Sequence, residues 1–109
     1  MSDEVRVVFC TFPDPETAHR TARDAVEQQY AACANLIASV KSIYRWQGRV
    51  ETATEWACVL KTTVARLPAL EARIRAEHPY QVPEIVAVPI VAGDPAYLAW
   101  IEDGVRDTP

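Results

Sequence analysis

The sequence predicts an α+β domain built from two β-α-β halves laid side by side, in the order β-α-β-β-α-β with one more helix at the C-terminus. This is the ferredoxin-like split arrangement, with the helices on one face of an antiparallel sheet. Three observations carry the expectation. The first apolar run, Val5 to Phe12, is apolar on both faces. Two Asp-Pro pairs mark helix starts, at Asp14-Pro15 and Asp94-Pro95. A Gln47-Gly48 turn joins two strand-like segments that are much longer than the outer strands.

In the first strand Val5, Val7 and Phe9 alternate with Val8, Cys10 and Phe12, a pattern that suits a central strand covered on both sides. Pro13 stops it. Asp14 is placed to cap the next helix, with Pro15 at its first position and Glu16 in its first turn. That helix is expected to reach about Tyr30, with Ala18, Ala22, Ala25, Val26 and Gln29 inward, and its small alanines allow close packing on a sheet. Strand-like segments follow from Leu36 to Trp46 and from Arg49 to Thr62. Thr62-Thr63 offers a cap for a second helix that carries Leu67, Leu70 and Ile74 inward, and Pro68 belongs near its start. An apolar, buried strand is expected over Ile85 to Val91, then a short helix carrying Tyr97, Leu98, Trp100 and Ile101.

The hairpin strands, of about 11 to 14 residues, span roughly 35–45 Å at about 3.3 Å per residue, while the outer strands have about 7 residues. Half of the hairpin, with Ile43, Tyr44, Trp46 and Val50, therefore projects beyond the sheet of its own chain. An isolated two-stranded ribbon is marginal in water, so strand pairing between subunits in a closed ring is expected.

With 109 residues and half of them apolar, the chain is expected to form a single domain, residues 1–109, with a core that needs no disulfide or metal. A net charge of −4 with no basic run argues against a nucleic-acid partner. No apolar stretch approaches the roughly 18 residues of a membrane span. The acidic start Met1-Ser2-Asp3-Glu4 does not open a signal sequence, so a cytoplasmic location is expected. Cys10, Cys33 and Cys58 lie in apolar contexts without zinc-like spacing and are expected as reduced, mostly buried thiols acting as small hydrophobes. No nucleophile-base pair or carboxylate dyad is visible, and with 3 glycines there is no phosphate-cradling loop. No enzyme activity and no organic cofactor are expected.

The crossover His78-Pro79-Tyr80-Gln81-Val82-Pro83-Glu84 is the first place to seek a ligand. Its prolines exclude helix and interior strand and push His78 and Val82 toward extended backbone. The plainer alternative is that these residues only fix a helix-to-strand crossing. Lys61 and Glu84 are charged residues beside apolar strands, suited either to a cleft between subunits or to solvent-facing or structural ion-pair positions. Tyr80 and Trp100 are candidates to close such a cleft. Tyr44, Trp46 and Trp56 are read chiefly as intersubunit hairpin contacts, with stacking on a planar ligand as the alternative.

Several stretches, in order, resemble the CutA family of divalent-cation tolerance proteins: Cys10-Thr11-Phe12-Pro13-Asp14, Ala31-Ala32-Cys33-Ala34-Asn35, Ser42-Ile43-Tyr44-Arg45-Trp46-Gln47-Gly48, Leu60-Lys61-Thr62-Thr63, His78 to Ile85, and Tyr97-Leu98-Ala99-Trp100. The resemblance covers about Val5 to Glu102. It implies a ferredoxin-like protomer in a tight homotrimer, similar in architecture to PII signalling proteins, and a link to copper and other divalent cations. By resemblance, Cys10 and His78 match the family's copper ligands. Glu77 stands where the family has the first of two histidines, and a carboxylate suits harder ions than Cu(I). The alternative implied by the architecture is a PII-like sensor or scaffold binding a small ligand or a protein partner.

Overall fold

A computed structural model describes residues 4–106. The Met1-Ser2-Asp3 start and the last three residues of the expected domain lie outside the described residues. The chain runs β1 (Val5–Phe12), α1 (Pro15–Glu27), β2 (Cys33–Trp46), β3 (Arg49–Thr63), α2 (Leu67–Glu77), β4 (Ile85–Pro89) and α3 (Pro95–Gly104). The strands form one sheet in the order β2-β3-β1-β4, every neighbouring pair antiparallel. This is the split β-α-β-β-α-β arrangement, with β3 and β1 at the centre.

One face of the sheet is closed by α1 and α2. Val8, Cys10 and Phe12 of β1 and Cys58 and Leu60 of β3 meet Ala18, Ala22 and Ala25 of α1 and Leu70 and Ile74 of α2 in one buried cluster. Helix α1 starts where the sequence expects it: Asp14 Oδ1 accepts from the Thr17 amide at 2.8 Å, and Pro15 opens the helix. It ends earlier than expected, because Gln29 turns into left-handed backbone at φ 63°. Val26, expected inward, is exposed. Helix α2 begins at Leu67 with no side-chain cap. The expected caps are occupied otherwise: β3 runs on to Thr63, opposite Val5, and the Thr62 hydroxyl donates to the Tyr30 carbonyl at 2.6 Å.

The other face of the sheet is largely open within this chain. Pairing sets Phe9 between Val59 and Val86, and Val7 beside Val88. Phe9 is 37%, Ile37 49%, Val86 51% and Val88 43% exposed. Helix α3 contacts β1 and β3 and covers one end, where Val5, Ile101 and Val105 are buried. The expectation of a β1 covered on both sides is met only at Val5. The expectation of a buried strand out to Val91 is also corrected: β4 ends at Pro89, only Ile85 is partly buried along it, and Val91 is exposed. The reason is that β4 is an edge strand whose main contact is β1.

β1 pairs with β3 only from Trp56 to Thr63, so Val40–Trp46 and Arg49–Glu55 continue as a two-stranded ribbon. At its root β2 carries one extra residue between Ile37 and Val40, where Ser39 has φ 63°. Such a bulge bends the ribbon and increases its twist. At the tip Gln47 (φ 51°) and Gly48 (φ 78°) make the two-residue turn with both residues left-handed. The ribbon lengthens the molecule to 44 × 28 × 22 Å.

Candidate functional site

The projecting ribbon and the crossover after α2 enclose a groove of about 700 Å³. Its walls include Tyr44, Trp46 and Tyr80, and two carboxylates line it, Glu55 and Glu84. The crossover is held in place by His78. This residue ends α2 with extended backbone, as the following Pro79 requires. Its Nε2–H donates to the Thr11 carbonyl at 2.6 Å, and its Nδ1 accepts from the Tyr80 amide at 3.2 Å. The ring stacks on Phe12 with centroids 4.7 Å apart, and its other neighbour is the Tyr80 ring at the same distance. Tyr80 in turn donates its hydroxyl to Glu55 Oε2 at 2.7 Å. Burial, and then this bond to a carboxylate, push the Tyr80 hydroxyl above the usual tyrosine range, so it stays a donor.

Glu55 was not singled out from the sequence. It is 6% exposed, on a ribbon whose neighbouring residues are mostly open. The signal available was weak: a carboxylate just before Trp56 in a strand of alternating character.

The three residues matched to metal ligands face three ways. Cys10 is buried against Cys58 directly across the β1–β3 pair, and the hydrogen bond to Cys58, together with burial, holds its thiol well above the usual cysteine range. His78 has both ring nitrogens engaged. Glu77 lies over the α1–α2 surface, 3.4 Å from Arg20 Nε and 3.8 Å from an Arg73 nitrogen. Among the described residues no group of three or more His, Cys, Asp or Glu is arranged to hold a metal ion.

The four cleft candidates divide into two places. Tyr80 and Glu84 line the groove. Lys61 lies opposite Val7 and Cys33 and donates to the Asn35 side chain. It is four strand positions from the level of Thr11, roughly 13 Å along the sheet. Trp100 is near that second place, stacked on Tyr97 of α3 at 5.6 Å, and the Tyr97 hydroxyl is 3.5 Å from Cys33 Sγ. The three aromatics divide as well. Tyr44 and Trp46 are exposed on the ribbon and line the groove. Trp56 lies opposite Phe12 and packs against the protomer's own core, because the β1–β3 pairing begins at that position.

Comparison with known proteins agrees with this fold over nearly the whole chain. The profile described as "CutA1 divalent ion tolerance protein" matches residues 6–104. The chain is 45% identical over 97 residues to the divalent-cation tolerance protein CutA of Thermus thermophilus, covering 89% of this chain and 94% of that protein. It is 41% identical over 100 residues to the protein of the same name from Escherichia coli, covering 92% of this chain and 89% of that one. The crystal structure of CutA from Xylella fastidiosa superposes with a TM-score of 0.92 at 37% identity, covering 94% of this chain and 99% of that chain. On this evidence the chain belongs to the CutA1 divalent ion tolerance family.

Proposed function

We propose that the protein serves divalent-cation tolerance as a homotrimer, and that its cation affinity belongs to the assembly and not to a preformed site within one protomer. The observation that carries this reading is the open sheet face, where Phe9, Ile37, Val86 and Val88 present an apolar surface to solvent in the single chain. Apolar surface of this kind is covered by a partner in stable oligomers, and the projecting ribbon adds unpaired strand edges beside it. Copper or another divalent cation enters as cargo. Cys10, His78 and Glu77 are each committed to other contacts, so its ligands come from more than one copy or from a rearrangement of the crossover that frees a His78 nitrogen.

The test joins mass to affinity. Light scattering on wild type is expected to give three times the protomer mass. Calorimetry with Cu(II), Zn(II) and, under reducing conditions, Cu(I) then compares wild type, Cys10→Ser, His78→Ala and the interface variant Phe9→Asp. Loss of both the trimer and cation binding in Phe9→Asp supports the reading. A wild-type monomer at micromolar concentration, or equal cation affinity in a monomeric Phe9→Asp, overturns it.

One observation favours a second reading, a PII-like trimer that takes up a small ligand: the groove of about 700 Å³ between ribbon and crossover.

A further inference from the structure

The geometry points to the groove between ribbon and crossover as a binding site for a small organic cation, an ammonium or guanidinium group carried on an apolar or aromatic body. This rests on the small-ligand reading of the groove and names the class of ligand.

The first argument is charge. Glu55 and Glu84 both line the groove, and among the described residues no lysine, arginine or histidine does. Glu55 is nine-tenths buried, and among the described residues its hydrogen-bond partner is the Tyr80 hydroxyl, a neutral donor, with no cation beside it. A carboxylate withdrawn from water is costly unless positive charge or further donors compensate it, and a bound cation supplies both. The second argument is the walls. Tyr44, Trp46 and Tyr80 surround these carboxylates, and aromatic faces attract ammonium and guanidinium groups. The third is size. A volume of about 700 Å³ lies in the range of small-molecule sites and far exceeds what a single metal ion fills. An anion is disfavoured by both carboxylates, and a neutral apolar ligand leaves Glu55 uncompensated.

Three probes of one shape separate the outcomes: phenethylamine, 2-phenylethanol and 3-phenylpropionate, each titrated into the 109-residue chain by calorimetry. Phenethylamine is expected to bind about tenfold or more tightly than the alcohol, and the carboxylate not at all. Glu55→Gln and Glu84→Gln are each expected to weaken phenethylamine while leaving the alcohol unchanged, with the larger loss at the buried Glu55. Glu84 is exposed, so its variant keeps the test open if Glu55→Gln folds poorly. Binding of the alcohol or the carboxylate as tightly as the amine overturns the cation assignment while preserving the small-ligand site. Binding of none of the three overturns both, as it would if a basic side chain of a second copy already filled the groove. Unchanged amine affinity in both variants also overturns the proposal.

Discussion

The imidazole of His78 takes over from a strand: its Nε2 lies 2.6 Å from the Thr11 carbonyl oxygen, one residue past the point where β4 stops pairing with β1. The last β1–β4 pair is Cys10 with Ile85. Beyond it the edge of β1 on that side has no strand partner among the described residues, and the histidine ring fills the gap. The same ring receives the Tyr80 amide at Nδ1, which fixes the neutral tautomer with the proton on Nε2. A metal ion at either nitrogen first has to displace one of these contacts.

His78→Ala is therefore expected to destabilise the protein by about 2–4 kcal/mol per protomer, through a part-buried carbonyl left without its partner and the lost stacking on Phe12. Urea unfolding measures it. A loss well under 1 kcal/mol would leave the histidine free for ligand duty.

Tyr80→Phe removes the one hydrogen-bond donor that Glu55 has among the described residues. The expected cost is about 1–3 kcal/mol, because the carboxylate stays buried without a partner. Glu55→Gln keeps an acceptor for the tyrosine and is expected to cost less. In the double variant the two losses should not add, since they act on one bond. Additive losses in the four-member cycle would show that Tyr80 and Glu55 contribute separately.

The thiols should react in a definite order. Cys33 is partly exposed at the start of β2, beside the Tyr97 hydroxyl, whereas Cys10 and Cys58 are 1% exposed. The Cys10 thiol is further held protonated by its bond to Cys58 and by burial. A bulky thiol reagent is expected to label Cys33 first, and the other two only on unfolding. Native-state labelling of Cys10 ahead of Cys33 would mean that the β1–β3 contact opens readily.

Much of this was legible along the chain because it is local. The Asp14-Pro15 and Asp94-Pro95 starts and the Gln47-Gly48 turn depend on neighbours in sequence, and the length mismatch of the hairpin follows from counting. What escaped depends on neighbours in space. That Cys10 turns toward Cys58 while His78 binds the Thr11 carbonyl is a matter of strand face and register, and family spacing cannot resolve it. Glu55 looked like one more strand carboxylate until the crossover folded over it. The exposure of Val86 and Val88 was hidden for the opposite reason: their apolar character anticipates a cover that this chain alone does not provide.

The start of α1 yields a prediction about pH. Both oxygens of Asp14 are engaged with Thr17, Oδ1 by its amide at 2.8 Å and Oδ2 by its hydroxyl at 3.2 Å. The amide bond first, and then the hydroxyl, hold the Asp14 carboxyl below its ordinary value of 3.8. A carboxyl whose pKa is lower folded than unfolded contributes stability above the unfolded value, and that contribution is lost as pH falls through the folded one. Asp14→Ala should thus be less stable than wild type at neutral pH, and the gap should shrink as the solution is acidified below the usual carboxylate range. Asp14→Asn keeps a capping oxygen but cannot titrate. It should lie between the two at neutral pH, and its cap should not fade in acid. Urea unfolding of the three proteins across a pH series measures this directly. A wild type-to-alanine gap that stays constant into acid would show that the cap acts through its geometry alone and not through its charge.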